Sequence, residues 1–451
     1  MARCLAHLGR VFAFALLLSS PSFAATLYVS PTGNDTNPGT VSAPFATPTR
    51  AVAVAVAGDT ILLRAGTYSI TRSLTITQAG LTLRSYTGES AKIVAGTTDE
   101  TNLTSVIVVY ASRVIIENLE LQGASYYGIK LDDHFGPQSG ITIRGVHIHH
   151  TGRDGIKAQS ADGVVIEGCE IAFSGVRDPS NAEGIDVMGS IGATVRRNYV
   201  HDIATTGIFV KAGTRQAVIE ANRIERTGHA GILVGSESAA EYMRNGVLHE
   251  AIDSVARNNI VVDAAMAGLG SIAGDNVRFE NNTVINAARA GQAVFRAAPN
   301  QYQTPARNIV LKNNVLVLSS SSSRPMIHLY NVTGSFVSDS NTWFSPSGRY
   351  AFWRESPSGP NSYWSSLDAW RSGMNVDTRS RALDPRVDAA RLYRPMPGSP
   401  ILDAGETLAG VTTDYSGAPR PLGAASDIGA HEGSAVAPTA PTNVRIVRGG
   451  F

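Results

Sequence analysis

Cysteine is nearly absent: the 451 residues hold two, Cys4 and Cys169. Cys4 lies in an N-terminal leader, so the mature chain keeps one thiol and forms no intramolecular disulfide. The fold must then rest on packing and backbone hydrogen bonds. Charge is also sparse, at 17%, and Lys+Arg (38) nearly cancels Asp+Glu (37). This argues against a general nucleic-acid binder, and an acidic ligand must be met by a local basic site. Long apolar runs are missing. The one candidate, residues 11–18, follows Arg3 and Arg10 and precedes Ser22-Phe23-Ala24. It is too short to span a bilayer and reads as a secretory signal cleaved after Ala24. A secreted mature protein, extracellular or periplasmic, is expected. It should be a monomer, with no membrane or nucleic-acid partner.

Glycine is plentiful, at 44 residues. The length exceeds what one ordinary compact core holds, but a solenoid grows in one dimension and escapes that limit. A phrase of Gly, a branched apolar residue and alternating side chains recurs as YGIKLDD, DGIKAQS, EGIDVMG, TGIFVKA, AGILVGS and AGLGSIA. Its glycines are Gly128, Gly155, Gly184, Gly207, Gly231 and Gly268, spaced by 27, 29, 23, 24 and 37 residues. A second phrase alternates with it, as in VIEGCEI, VIEANRI and RFENNTV. It aligns a column through Leu119, Val146, Cys169, Asn198, Asn222, Asn258, Asn282 and Asn314. Each unit thus holds two or three short strands that cannot bury an inner face alone. Stacking the units pairs every strand in parallel, and the asparagines become a ladder at one turn. Cys169 falls in that column as a small buried hydrophobe.

The predicted fold is all-β, a right-handed parallel β-helix with an N-terminal capping helix drawn from residues 43–58. The signal peptide takes residues 1–24, and the β-helix takes 25–344. C-terminal coils and a capping region take 345–434, and a flexible tail takes 435–451.

The opening YVSPTGNDTNPGT with APFATPTRAVAVAVAGDTILLRAGTY, and the ending SPILDAG with TDYSGAPRPLGAASDIGAHE, resemble secreted bacterial β-helix proteins of the pectate lyase superfamily. The resemblance covers most of residues 26–432 and speaks to fold more than to substrate. It implies carboxylates on the outer face of one sheet holding Ca²⁺, and a Lys or Arg one or two coils away taking a proton. The acidic motif of the calcium-dependent pectate lyases and the Lys/Arg motif of the chondroitinase-B type are not present in their usual form.

Alternation sorts the first phrase by direction. Ile156 faces in, so Lys157 faces out, and the outward column runs Lys130, Lys157, Asp186, Phe209, Leu233. Two residues on, it runs Asp132, Gln159, Met188, Lys211, Gly235. Asp154 and Glu183 stack at the strand entrance. Lys211 should lie one coil from Asp186, roughly 7–8 Å away. One face therefore gathers Asp132, Asp154, Glu183 and Asp186 with Lys130, Lys157 and Lys211; a solvated face laced with salt bridges is the plain alternative.

β-Elimination on a uronate needs these groups. The proton α to a carboxylate is acidic enough only once that carboxylate is neutralised. Asp154, Glu183 and Asp186 are the candidate Ca²⁺ ligands. Lys211 is the first candidate base and Lys157 the second. Lys130, Asp132, His134, His201, His229 and Arg244 are candidates for contacting substrate. His149, His201 and His229 are a possible metal trio, with turn-lining histidines the simpler reading. The 37-residue interval contains an insertion, SESAAEYMRNGVLHEAIDS, whose Tyr242, Arg244, His249, Glu250 and Asp253 are candidates for a cleft wall. A Ca²⁺-assisted lyase of an acidic polysaccharide is the leading expectation. A C5-epimerase, a two-carboxylate hydrolase and a non-catalytic glycan-binding protein are the alternatives.

Overall fold

The computed structural model describes residues 24–433. The signal peptide and the tail expected at the two ends fall outside them, apart from Ala24. Three long sheets of 14, 11 and 12 strands run the length of the molecule as the walls of a tube. Successive coils contribute one strand to each wall, and their neighbours pair in parallel. The chain is a parallel β-helix. Among the described residues, no helix is long and apolar enough to cross a membrane.

The alternation in the sequence sets what fills the tube. In the 12-stranded sheet, Ile129, Ile156, Ile185, Ile208, Ile232, Leu269 and Phe295 follow one another in register. All are fully buried. The recurrent glycine one position before this column has a steric cause. A Cβ on Gly155 would stand 2.3 Å from Ile171 Cγ2 and 2.7 Å from Gly184 O. Gly128, Gly184, Gly207, Gly231 and Gly268 meet a branched side chain of the 11-stranded sheet in the same way. The corner between two walls closes only because no side chain stands there.

An asparagine ladder runs along another corner. Asn198 Nδ2 donates to Asn222 Oδ1 (2.9 Å), and the chain of amides continues through Asn259, Asn282, Asn314 and Asn341. Each Nδ2 also donates to a backbone carbonyl, as Asn222 does to Val195 O (2.9 Å). Every amide is therefore satisfied although buried. The rung expected at Asn258 is Asn259. Asn258 itself occupies the left-handed turn before the rung, at φ 54°, and its Nδ2 donates to Thr413 O. Cys169 takes the rung below Asn198, and its backbone N–H donates to Asn198 Oδ1 (3.0 Å). Burial pushes its thiol up to about 12, so it is inert as a nucleophile.

Helix α1, Pro48–Val54, is shorter than the 43–58 stretch expected. Thr47 caps it, and it buries Ala51 and Val52 beside the first strands. At the far end, helix α2, Leu367–Met374, starts at the Ser366 cap. It stacks Trp370 on Phe352 and ties the indole to Asp377 (2.7 Å). The last described residues return along the 11-stranded sheet. There Arg420 donates to Asn258 Oδ1 (3.2 Å) and Asn281 Nδ2 to Asp427 O (3.0 Å), which hold them to the tube.

Candidate functional site

The outward face of the 12-stranded sheet carries a cleft of about 480 Å³. Its lining includes Lys130, Asp132, His134, Lys157 and Lys211 from the sequence-derived set. Tyr127, Arg153, Asn181, Glu237 and Tyr242 also line it. The predicted columns hold: Lys157 pairs in register with Lys130 on one side and Asp186 on the other, and Met188 with Lys211.

Below this cleft, Asp154, Glu183 and Asp186 bring one carboxylate oxygen each within 4.8 Å of one another. Asp154 and Asp186 are fully buried, and Glu183 nearly so. Lys157 Nζ reaches Asp186 Oδ2 at 2.6 Å and Asp154 Oδ2 at 3.3 Å. Lys211 Nζ reaches the same Asp186 oxygen at 3.2 Å. The expected 7–8 Å step is a backbone spacing, which the long Lys211 side chain reaching back to Asp186 has closed.

Three carboxylates face two ammonium groups, and two buried oxygens, Asp186 Oδ1 and Glu183 Oε2, have no hydrogen-bond partner. A buried carboxylate oxygen left unpaired is costly, so the cluster has acceptors to offer a ligand. Burial, aided by Glu183 and Asp186, pushes the Asp154 carboxyl well above the usual range despite the opposing pull of Lys157. Burial presses Asp186 the same way, but Lys157 and then Lys211 outweigh it and hold the carboxyl below its ordinary value. Desolvation works against the Lys157 ammonium, yet Asp186 and Asp154 overcome it and raise that group well above the ordinary lysine value. Lys157 thus stays protonated. Clustered oxygen donors and orphaned acceptors suit a hard divalent cation.

Tyr127 lies under both Lys130 and Lys157, with ammonium-to-ring distances of 5.8 and 5.7 Å. Lys130 is paired with Asp132 (2.5 Å), and Asp132 also caps the turn that carries His134 (3.0 Å). Arg153 bonds Asp178 (2.9 Å) and lies over Tyr126. Sequence reasoning passed over Arg153, although its place directly before Asp154 at the strand entrance was the available signal.

The insertion contributes less than expected. Tyr242 lines the cleft, but Arg244 turns away into a bidentate pair with Asp162 and a bond to Gly189 O (2.7 Å). Glu250 is fully buried. It holds the loop by accepting from Ala212 N (2.9 Å) and Ser238 N (2.8 Å). His249 faces a separate groove of about 720 Å³, and Asp253 bonds Asn276 on the surface. His201 belongs to the 11-stranded sheet and bonds Asp202 (2.7 Å) and Glu170 (3.2 Å). His229 is exposed at the turn before Ala230–Val234. The trio His149, His201 and His229 is not brought together. His149 instead meets His147 and Glu120, and also its neighbour His150.

Two family models match the chain. One, described as a right-handed β-helix region, covers residues 134–323. The other, described as a Pel9A-like right-handed β-helix region, covers residues 27–187. A pectate lyase, PEL9, of Emericella nidulans is 44% identical over 88 residues, which is 18% of this chain and 21% of that protein. The match thus spans about a fifth of that relative's length. The crystal structure of pectate lyase Pel9A superposes with a TM-score of 0.59 at 19% identity, covering 91% of this chain and 97% of that one. A complex of XylC with xylose gives 0.52 at 11% identity, covering 90% and 98%. The tube is thus of the right-handed class of parallel β-helices. Within that class, the two family models together place right-handed β-helix regions over residues 27–323, and the tube shares the fold of pectate lyase Pel9A.

Proposed function

We propose that the protein is a polysaccharide lyase that cleaves an acidic, uronate-containing chain by β-elimination. Asp154, Glu183 and Asp186 are its cation ligands and Lys211 its base. One observation carries this reading: a buried, electron-rich trio of carboxylates with two unpaired oxygens, beside a lysine at the floor of an open cleft. Bound Ca²⁺ would neutralise the uronate carboxylate and so acidify the adjacent C–H.

Lys211 acts from the coil after the carboxylates. Once the Lys211 ammonium has given up a proton, its neutral Nζ takes the C5 proton, the electron pair left on C5 forms the C4=C5 double bond as the C4–O bond breaks, and the leaving oxygen gains a proton from water. Lys157 is held as a cation, so it serves to neutralise charge and orient substrate rather than to accept a proton. Lys130 and Arg153 add positive charge along the cleft for the acidic chain, and Tyr127 offers a sugar-stacking face. The names of the pectate lyase relatives make pectate the first substrate to try. The leader-like residues 1–24 support secretion, which suits an extracellular polymer.

Hydrolysis by two carboxylates is less well served. A retaining pair stands about 5–5.5 Å apart across an exposed sugar bond, and an inverting pair stands farther apart. Here all three acids are buried beneath a lysine rather than facing each other across an open cleft. A panel of pectate, alginate and glycosaminoglycan, with Ca²⁺ or with EDTA, tests the proposal. Unsaturated, ultraviolet-absorbing product that disappears with EDTA is expected. Reducing ends without that absorbance would establish hydrolysis, and retained glycan binding without either would make the protein a lectin-like β-helix.

A further inference from the structure

The 11-stranded sheet has an outward face of its own, away from the cleft. Leu119–Gln122, His147–His149 and Glu170–Ser174 lie side by side there. The register places Glu120 beside His147 and His147 beside Glu170, with His149 two residues along the same strand and on the same side. The imidazole rings of His147 and His149 are 4.6 Å apart. Glu120 Oε1 lies 3.1 Å from His149 Nε2. One donor atom from each of Glu120, His147 and His149 falls within 4.8 Å of the other two.

We propose that Glu120, His147 and His149 form a second metal site, selective for a divalent transition ion such as Zn²⁺. Two imidazoles and one carboxylate are the borderline donors such ions prefer, whereas the all-oxygen trio in the cleft suits a hard ion. Three protein ligands leave a fourth position open. His149 Nδ1 meets His150 Nδ1 at 2.8 Å, so the ring already has the outer partner that fixes tautomer and orientation in histidine ligands. No hydrogen bond engages either ring nitrogen of His147 among the described residues. Tetrahedral zinc needs donor atoms about 3.3–3.5 Å apart, which small side-chain rotations reach from here.

A competitor is built in. Lys92 Nζ lies 2.7 Å from the same Glu120 oxygen that faces His149. The cation must displace this ammonium, so the site has an internal cation that lowers its affinity. Glu120 and the two histidines come from adjacent coils. A bound ion would therefore clip those coils together.

The test uses the mature chain without a histidine tag, in excess Ca²⁺ so that the carboxylate trio is saturated. Calorimetric titration with ZnCl₂ should show one ion per chain and a raised Tm. His147→Ala and His149→Ala should each weaken binding by about tenfold or more. Lys92→Ala should tighten it several-fold, and His201→Ala should leave it unchanged. X-ray absorption should show a shell of light N/O donors with imidazole scattering. The proposal is overturned if binding does not saturate, if it survives His147→Ala with His149→Ala, or if Lys92→Ala fails to strengthen it. Because Lys92→Ala removes no ligand, it stays informative even if a histidine variant folds poorly.

Discussion

Lys211 Nζ lies 3.2 Å from Asp186 Oδ2, although the two residues belong to successive coils. The same oxygen also takes the Lys157 ammonium at 2.6 Å. One buried carboxylate thus positions both lysines at the floor of the cleft, and the first predictions test that arrangement.

Lys211→Ala should cut turnover by about 10²–10⁴-fold while the circular dichroism spectrum stays that of the parent. The unsaturated product, followed by its ultraviolet absorbance, is the measurement. Near-parental turnover would move the base to Lys157 or to an arginine.

Asp186→Asn should act on stability and activity together. It leaves two lysines facing each other with one anion fewer in a buried setting, at a cost of about 3 kcal/mol. Denaturant unfolding reads the first effect. Calcium titration reads the second, with affinity expected to fall along with activity. A variant as stable as the parent would show that solvent screens the cluster.

The asparagine ladder makes a prediction away from the cleft. Asn222→Ala removes an amide that donates to Val195 O and Asn259 and accepts from the backbone and side-chain N–H of Asn198. Several buried groups lose partners at once, and a loss of about 3 kcal/mol is expected in urea unfolding. Arg226→Ala on the same coil, which loses the ion pairs of an exposed guanidinium with Asp202 and Glu225, should cost far less.

A pH prediction comes from Asp414. Burial would push its carboxyl up, but His431 and the backbone N–H groups of Glu432 and Ala418 outweigh burial and hold it at about 2, against an ordinary 3.8. A carboxyl depressed on folding stabilises the fold above its unfolded value and loses that contribution as pH falls through its folded value. Acid unfolding between about pH 4 and pH 2 should therefore include this group. Asp414→Asn should flatten the stability profile in that window, as read by Tm against pH.

Much of the tube was legible because a strand's period is two. Once Ile156 is assigned inward, Lys157 must point outward, and Asp186 follows one coil on. Legibility failed where neighbours were chemically alike or the backbone was not periodic. Asn258 and Asn259 are adjacent, and only the left-handed turn shows which one is the rung. Arg244 sits in a loop with no repeat to copy, so alternation could not foretell its pairing with Asp162. The His147–Glu120 juxtaposition joins adjacent coils of the second phrase, whose most regular column is that of the asparagines.

The six close-fitting glycines carry a last consequence. Each seals a corner of the tube against a branched side chain from the adjoining wall, so the interior tolerates little change in size. The outward column obeys no such constraint: along one line it passes from lysine to aspartate to phenylalanine to leucine. New specificities can therefore be drafted on the outside, one coil at a time, while the tube beneath keeps its bore.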